Sequence, residues 1–436
     1  MDCPNRLPLY MFLCIVLVAV SCGGPPPPVE TPAPALEEPA ELAVFTPHDR
    51  LPVVRVLILE PRPDVRVRIP SAFFIAEGLD EPPLKRFESG GEYIVRLAGN
   101  AVAIRGSGGD LHEAHVISLT CAGSGNVYIN GKPYRGNFTF RATQGGLITI
   151  NDIEIDDYLK GVLPAEMGYL RPDQYEAYLV QAIASRSYSL SKLEEKKMEM
   201  YDLRATIMDQ VYRGVQGEHP EASRAVDATR GLVALFEGSP ARTYYSACCG
   251  GQTADIRVGW PWKTHAAFLC GVRDTKEAEK GKSFCHRSPH FRWRVHWGGR
   301  TLERVLAKTL PRELGVKPAT VGKLENIVVR GVSSDGRIKA IEIVTDRGRH
   351  VVEGDRIRWI LLPKPGSDAI LKSTMFKLDV KRSGGRVSAV NLVGGGNGHG
   401  IGMCQAGAIR MAEKGYSYEE MLAHYYPGTL LVRYYP

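Results

Sequence analysis

The β-branched run Leu147-Ile148-Thr149-Ile150 leads into residues 156–167, and no other stretch constrains the fold as much. The run reads as a strand, and residues 156–167 as a short helix. A longer helix follows. Arg171-Pro172-Asp173, with Glu176 three residues on, is a capping signal in which the Asp side chain accepts a free amide and the Glu reaches back. The spacing predicts a helix from Gln174 to about Met198, with Ala177, Gln181, Ala184, Ser185 and Tyr188 on one face. Small residues on that face let a neighbouring element approach closely.

Upstream the text is β-like. Residues 54–59, 65–69, 93–97, 101–105 and 116–119 are short, apolar or alternating, and 127–129 and Tyr134 bracket Asn130-Gly131, a strong hairpin signal. Downstream, 301–310, 406–414 and 418–424 read as helices, and 327–329, 338–344 and 351–352 as strands, with Asp335-Gly336 as a hairpin turn. The fold class is therefore α+β, with a β-rich N-terminal region, 49–150, leading into a mixed α/β body, 151–436. The β-rich region is either a subdomain of its own or the first sheet of the body.

The chain's start gives an address. Arg6 precedes an apolar run from Leu9 to Val20, too short for a comfortable membrane span. It ends in Ala19-Val20-Ser21-Cys22-Gly23, small residues before a cysteine, as at a bacterial lipoprotein processing site. Residues 1–22 are read as that signal, with Cys22 lipidated, and 23–48, rich in Pro, Ala and Glu, as an extended spacer. The expected location is the bacterial cell envelope, exported and lipid-anchored. Lys plus Arg exceeds Asp plus Glu by 55 to 48, a mild excess that suits an anionic wall polymer. No dense basic block argues for nucleic acid.

Glu166 is the one carboxylate in the otherwise uncharged run 161–170. Apolar neighbours disfavour the charged form, so its pKa is expected to be raised. A carboxylic acid kept protonated near neutral pH can give a proton to a leaving group. The alternative is a surface residue, or a cap between two helices. Six cysteines follow residue 22, in an exported chain that permits disulfides: Cys121, Cys248, Cys249, Cys270, Cys285 and Cys404. Cys249, Cys270, Cys285 and His286 fall close enough together for either a disulfide or a structural zinc. Residues 394–400 carry five glycines in seven positions. They lack the Lys-Ser/Thr of a phosphate loop, so the reading is backbone closely approached by a polymer.

These motifs together resemble the SpoIID/LytB family. The resemblance rests on Asp157-Tyr158-Leu159 through Glu166-Met167, on Gln181-Ala182-x-Ala184-x-Arg186-x-Tyr188, and on Ser246-x-x-Cys249-Gly250-Gly251-x-Thr253. It extends to Gly398-His399-Gly400-Ile401-Gly402-Met403-x-Gln405 and His424-Tyr425-Tyr426-Pro427-Gly428-Thr429, so that it spans roughly residues 50–436. The family's active members are lytic transglycosylases of peptidoglycan glycan strands, and the catalytic glutamate falls on Glu166. The resemblance implies Gln181, Arg186, His399 and Gln405 as substrate binders, and a preference for peptide-stripped glycan. It implies no required cofactor, although some members bind a structural metal near the equivalent cysteines. Other relatives are noncatalytic wall-binding proteins that enhance an amidase, which makes a cell-wall amidase a candidate partner. Two departures stand out: Cys404 where Ser is frequent, and Gly395 where Arg is frequent.

Overall fold

The computed structural model describes residues 49–436 apart from 79–80, 89, 124, 276–281 and 367–368. The signal at 1–22, Cys22 and the spacer at 23–48 lie outside the described residues. No helix among the described residues is long and apolar enough to cross a membrane.

The fold is α+β, with the strands concentrated towards the N-terminus. Strand Gly146–Glu154 is buried along all but its last residue and lies between Val53–Arg62 and Asn137–Thr143, antiparallel to both. The sheet around it has seven strands, reaching Leu203–Arg204 at one edge and Lys85–Phe87 at the other. A second sheet of six strands includes Asp64–Ile69, whose exposed and buried residues alternate without a break. Alternation puts Val65, Val67 and Ile69 on one face, and all three are buried. Asn130 and Gly131 take φ values of +49° and +82° between Val127–Ile129 and Lys132–Tyr134, the backbone of a tight primed hairpin turn.

The central strand passes into helix α1, Ile155–Met167, with no intervening loop. The Ile155 amide donates to Pro52 O at 2.9 Å, which fixes the angle at which the helix leaves the sheet. Helix α2, Tyr175–Glu195, packs on α1 and on α3, Pro220–Ala228. Its buried run, 177–191, is unbroken, so this is a core helix and not a half-exposed one. The predicted cap is corrected. Gln174 accepts from the Arg171 amide at 2.9 Å, while Asp173 pairs with the Arg171 guanidinium and Glu176 accepts from the Tyr418 amide.

One hydrophobic cluster contains Val65, Phe138 and Phe140 of the sheets together with Tyr158, Val180 and Tyr435. The N-terminal strands thus share a core with the helices. A second cluster gathers Trp297, Leu306, Ile341, Ile357 and Val390 from within residues 293–392.

Gly161 shows how tightly α1 is seated. A Cβ there would lie 2.7 Å from the Tyr212 ring and 2.9 Å from Gly214 O. Gly161→Ala is expected to destabilise the protein by about 1–3 kcal/mol, read as a lower denaturant midpoint at unchanged slope.

Candidate functional site

Glu166 is the penultimate residue of α1. Its Oε1 accepts from the Val211 amide at 2.8 Å, and its carboxylate also takes a hydrogen bond from the Gln405 side chain. Burial pushes its pKa above the usual carboxylate range; the Val211 and Gln405 hydrogen bonds pull the other way without cancelling the effect. The group faces a cleft of about 770 Å³.

Three separated sequence motifs meet in that cleft. Tyr245 and Ser246 pair in parallel with Met403 and Cys404, Cys248 bridges Asn397, and Ala254 bridges Ile401. This zipping sets Asn397, Gly398 and His399 in the cleft wall together with Tyr245, Ser246, Gln405 and Glu166. Trp260, Trp262 and Trp359 also line the cleft, and the Arg356 guanidinium lies over the Trp262 ring at 4.8 Å. The tryptophans give no signal in the sequence, because isolated aromatics carry no periodic pattern. Val211 gives none either, since it contributes through its backbone alone.

The carboxylates that share the cleft with Glu166 each hold a cation. Asp209 pairs with Lys192 at 3.1 Å, Glu313 with Arg312 at 2.7 Å, and Asp355 with Arg358 at 3.0 Å. Among the described residues of the lining, Glu166 is the carboxylate whose partners are neutral donors.

Behind Glu166 lies a chain of neutral polar groups. The Gln405 amide reaches Gln181 Oε1 at 3.4 Å, and Gln181 donates to Ser185 Oγ at 2.9 Å. Gln210 donates to Tyr245 Oη at 3.0 Å and accepts from Tyr158 Oη at 3.1 Å. The fully buried Gln181 therefore acts on the cleft through Gln405, and touches no ligand itself.

Arg186 is a correction. It is fully buried, its guanidinium pairs with Asp156 at 2.8 Å, and it donates to the carbonyls of Val226 and Leu232. Every polar contact is internal, so it ties α1, α2 and α3 together and does not bind substrate. His399 is in the cleft wall, but both ring nitrogens face backbone. Nδ1 accepts from the Ile401 amide at 3.0 Å, and the ring also hydrogen-bonds the Tyr245 backbone. Burial, with Arg358 and Arg337 adding to it and Asp355 opposing, lowers its pKa to about 4. The ring is thus a neutral prop, tilted against Trp260 with the ring centres 4.7 Å apart, that shapes the wall.

The glycines at 394–400 are approached by protein and not by a polymer. A Cβ at Gly396 would lie 2.8 Å from Cys248 O, and one at Gly398 would lie 2.6 Å from Ser246 Cβ; both have positive φ. The chain that approaches so closely is the protein's own 246–249 segment. At Gly395 the space of a side chain is taken by the Arg292 guanidinium, 2.8 Å from where a Cβ would sit.

The expected cysteine set does not assemble as written. Cys270 is exposed, and His286 Nδ1 faces Ser283 O at 2.8 Å. Cys249 and Cys285 do meet, with their sulfurs 3.6 Å apart and unbonded, and the partners beside them are Cys404 and Asp274. Asp274 lies alone in sequence among residues of no metal-binding pattern, so spacing could not have found it.

A family model described as SpoIID, stage II sporulation protein, matches residues 143–236, and a domain of unknown function, DUF8618, matches 272–402. An uncharacterized protein of Brachyspira hyodysenteriae is 30% identical over 309 residues, 70% of this chain and 74% of that protein. The amidase enhancer of Bacillus subtilis is 28% identical over 340 residues, covering 71% of this chain and 46% of the enhancer. Stage II sporulation protein D of Bacillus amyloliquefaciens is 24% identical over 303 residues, 64% of this chain and 75% of that protein. With the matched segment covering the whole central strand and running on through Glu166, Gln181 and Val211, the chain belongs to the SpoIID family.

Proposed function

We propose that this protein is a peptidoglycan lytic transglycosylase that cuts the β-1,4 bond between N-acetylmuramic acid and N-acetylglucosamine in peptide-stripped glycan. The observation that supports it is an acid with a raised pKa in a cleft whose other carboxylates are each paired with a cation. Ordinary glycosidases need two carboxylates, the second as nucleophile or as base for water. One suffices if the sugar supplies its own nucleophile.

Protonated Glu166 gives its proton to the glycosidic oxygen as the C1–O bond breaks. The C6 hydroxyl of the same muramic acid then bonds to C1, and its proton passes to the Glu166 carboxylate. The products are a free 4-hydroxyl on the departing sugar and a 1,6-anhydromuramic end. Intramolecular attack draws on proximity, so no activated water is needed. The Val211 amide and Gln405 favour the carboxylate form that must exist between the two transfers. Trp262 and Trp359 offer apolar surface to the C–H groups of pyranose rings, and Arg356, held over one face of Trp262, suits the lactyl carboxylate of muramic acid.

This activity belongs in the cell envelope, with Cys22 as lipid anchor and 23–48 as reach. A second reading has one specific support, the 28% identity with an amidase enhancer: a wall-binding protein that acts through an amidase. The two separate on denuded glycan strands with no amidase present. Soluble anhydro-ended fragments support the enzyme. Sedimentation with sacculi and no fragments, together with faster cleavage when an amidase is added, supports the enhancer.

Gln405→Ala tests the role given to the neutral donors. Its hydrogen bond lowers the Glu166 pKa, so its loss raises that pKa further. The fall of activity on the alkaline side should then move to higher pH, while the maximal rate drops by about tenfold or more. An alkaline limb that stays in place would remove Gln405 from the site.

A further inference from the structure

We propose that Cys249, Asp274, Cys285 and Cys404 form a structural site for a zinc-class divalent cation, placed behind the cleft. All four residues are buried, and their ligand atoms all lie within 4.8 Å of one another. They come from four separate segments: the turn after Tyr245–Ser246, the loop at 274, the 3-10 turn Phe284–Arg287, and the end of strand Met403–Cys404. The Cys249 and Cys285 sulfurs are 3.6 Å apart. Tetrahedral zinc with sulfurs at about 2.3 Å puts neighbouring ligands roughly 3.7 Å apart. A disulfide would need about 2.05 Å.

The surroundings fit a metal better than a redox pair. Asp274 is oriented from both sides, by the Tyr425 hydroxyl at 2.7 Å and the Cys285 amide at 2.9 Å, as ligand carboxylates are. The Cys249 amide donates to Cys404 Sγ at 3.2 Å, and the Gly251 amide to Cys249 Sγ at 3.4 Å. Amides aimed at sulfur suit thiolates. Three thiolates and one carboxylate favour zinc over magnesium or calcium. Cys404 directly precedes Gln405, so the cation would staple the residue that holds Glu166 to the glycine-rich turn. The Cys for Ser departure at this position supplies the third sulfur.

The test is metal content of the full chain, made with zinc supplied and measured by elemental mass spectrometry. About one zinc per chain is expected, released when a mercurial titrates the thiols, with X-ray absorption giving about three sulfurs near 2.3 Å. Cys270→Ser should keep its zinc; Cys404→Ser and Asp274→Asn should lose at least about tenfold in zinc affinity, the lower end for a lost ligand. If a serine variant fails to fold, the absorption spectrum of the unaltered protein decides alone. Metal-free protein with a Cys249–Cys285 linkage in its peptide map, or zinc that persists in Cys404→Ser and leaves in Cys270→Ser, would overturn the site.

Discussion

Replacing Glu166 with Gln is expected to slow the formation of anhydro-ended fragments by about 100- to 10,000-fold, the range set by loss of a general acid–base. The amide keeps the shape of the side chain and its acceptor for the Val211 amide, so binding to glycan should survive. Under the proposed mechanism the unaltered protein should lose activity as pH rises through the raised Glu166 pKa, because the first proton transfer needs the acid form. The same shift has a sign for stability. A carboxyl whose folded pKa is raised holds more protons folded than unfolded, so stability falls as pH climbs from the ordinary carboxylate range through the folded pKa. Glu166→Gln should therefore melt higher than the unaltered protein at neutral pH, and the gain should vanish in acid below the ordinary range. A variant that is inactive and also less stable at neutral pH would point to a structural role for the carboxylate.

Arg186→Met should unfold the protein rather than weaken its grip on sugar. Arg186 is fully buried against Asp156, and Asp156 accepts from Tyr435 Oη at 2.9 Å. Removing the guanidinium strands the buried Asp156 carboxylate in the first turn of α1, at a cost of about 3–5 kcal/mol. The expected observation is a large drop in the denaturant midpoint. Glycan affinity of whatever fraction stays folded should be unchanged. Asp156→Asn with Arg186→Met should recover part of the loss, since the stranded charge goes too. A stable Arg186→Met protein with weakened glycan binding would return Arg186 to the cleft.

That contrast shows what local sequence can and cannot carry. The strand into α1, the span of α2 and the Asn130-Gly131 turn were legible, because period and turn chemistry act within a few residues. So was the isolation of Glu166 among uncharged neighbours. Arg186 was not, because its partner Asp156 lies thirty positions upstream on another helix. The glycines at 394–400 announced close approach, yet whether polymer or protein approached depended on the pairing with 245–254. Cys249 and Cys285 were visible as a cluster. Asp274 and Cys404 joined it only once four distant segments had folded together. The expected cap did not form, because Pro172 starts a 3-10 turn in which Gln174 reaches back to the Arg171 amide, and α2 begins with no side-chain cap.

In the proposed mechanism the sugar closes on itself and water takes no part. Digestion of denuded glycan strands in ¹⁸O-labelled water, with the ends read by mass spectrometry, separates this route from hydrolysis. Unlabelled 1,6-anhydromuramic ends are predicted. Reducing ends that each carry one ¹⁸O would show a water nucleophile and contradict the account.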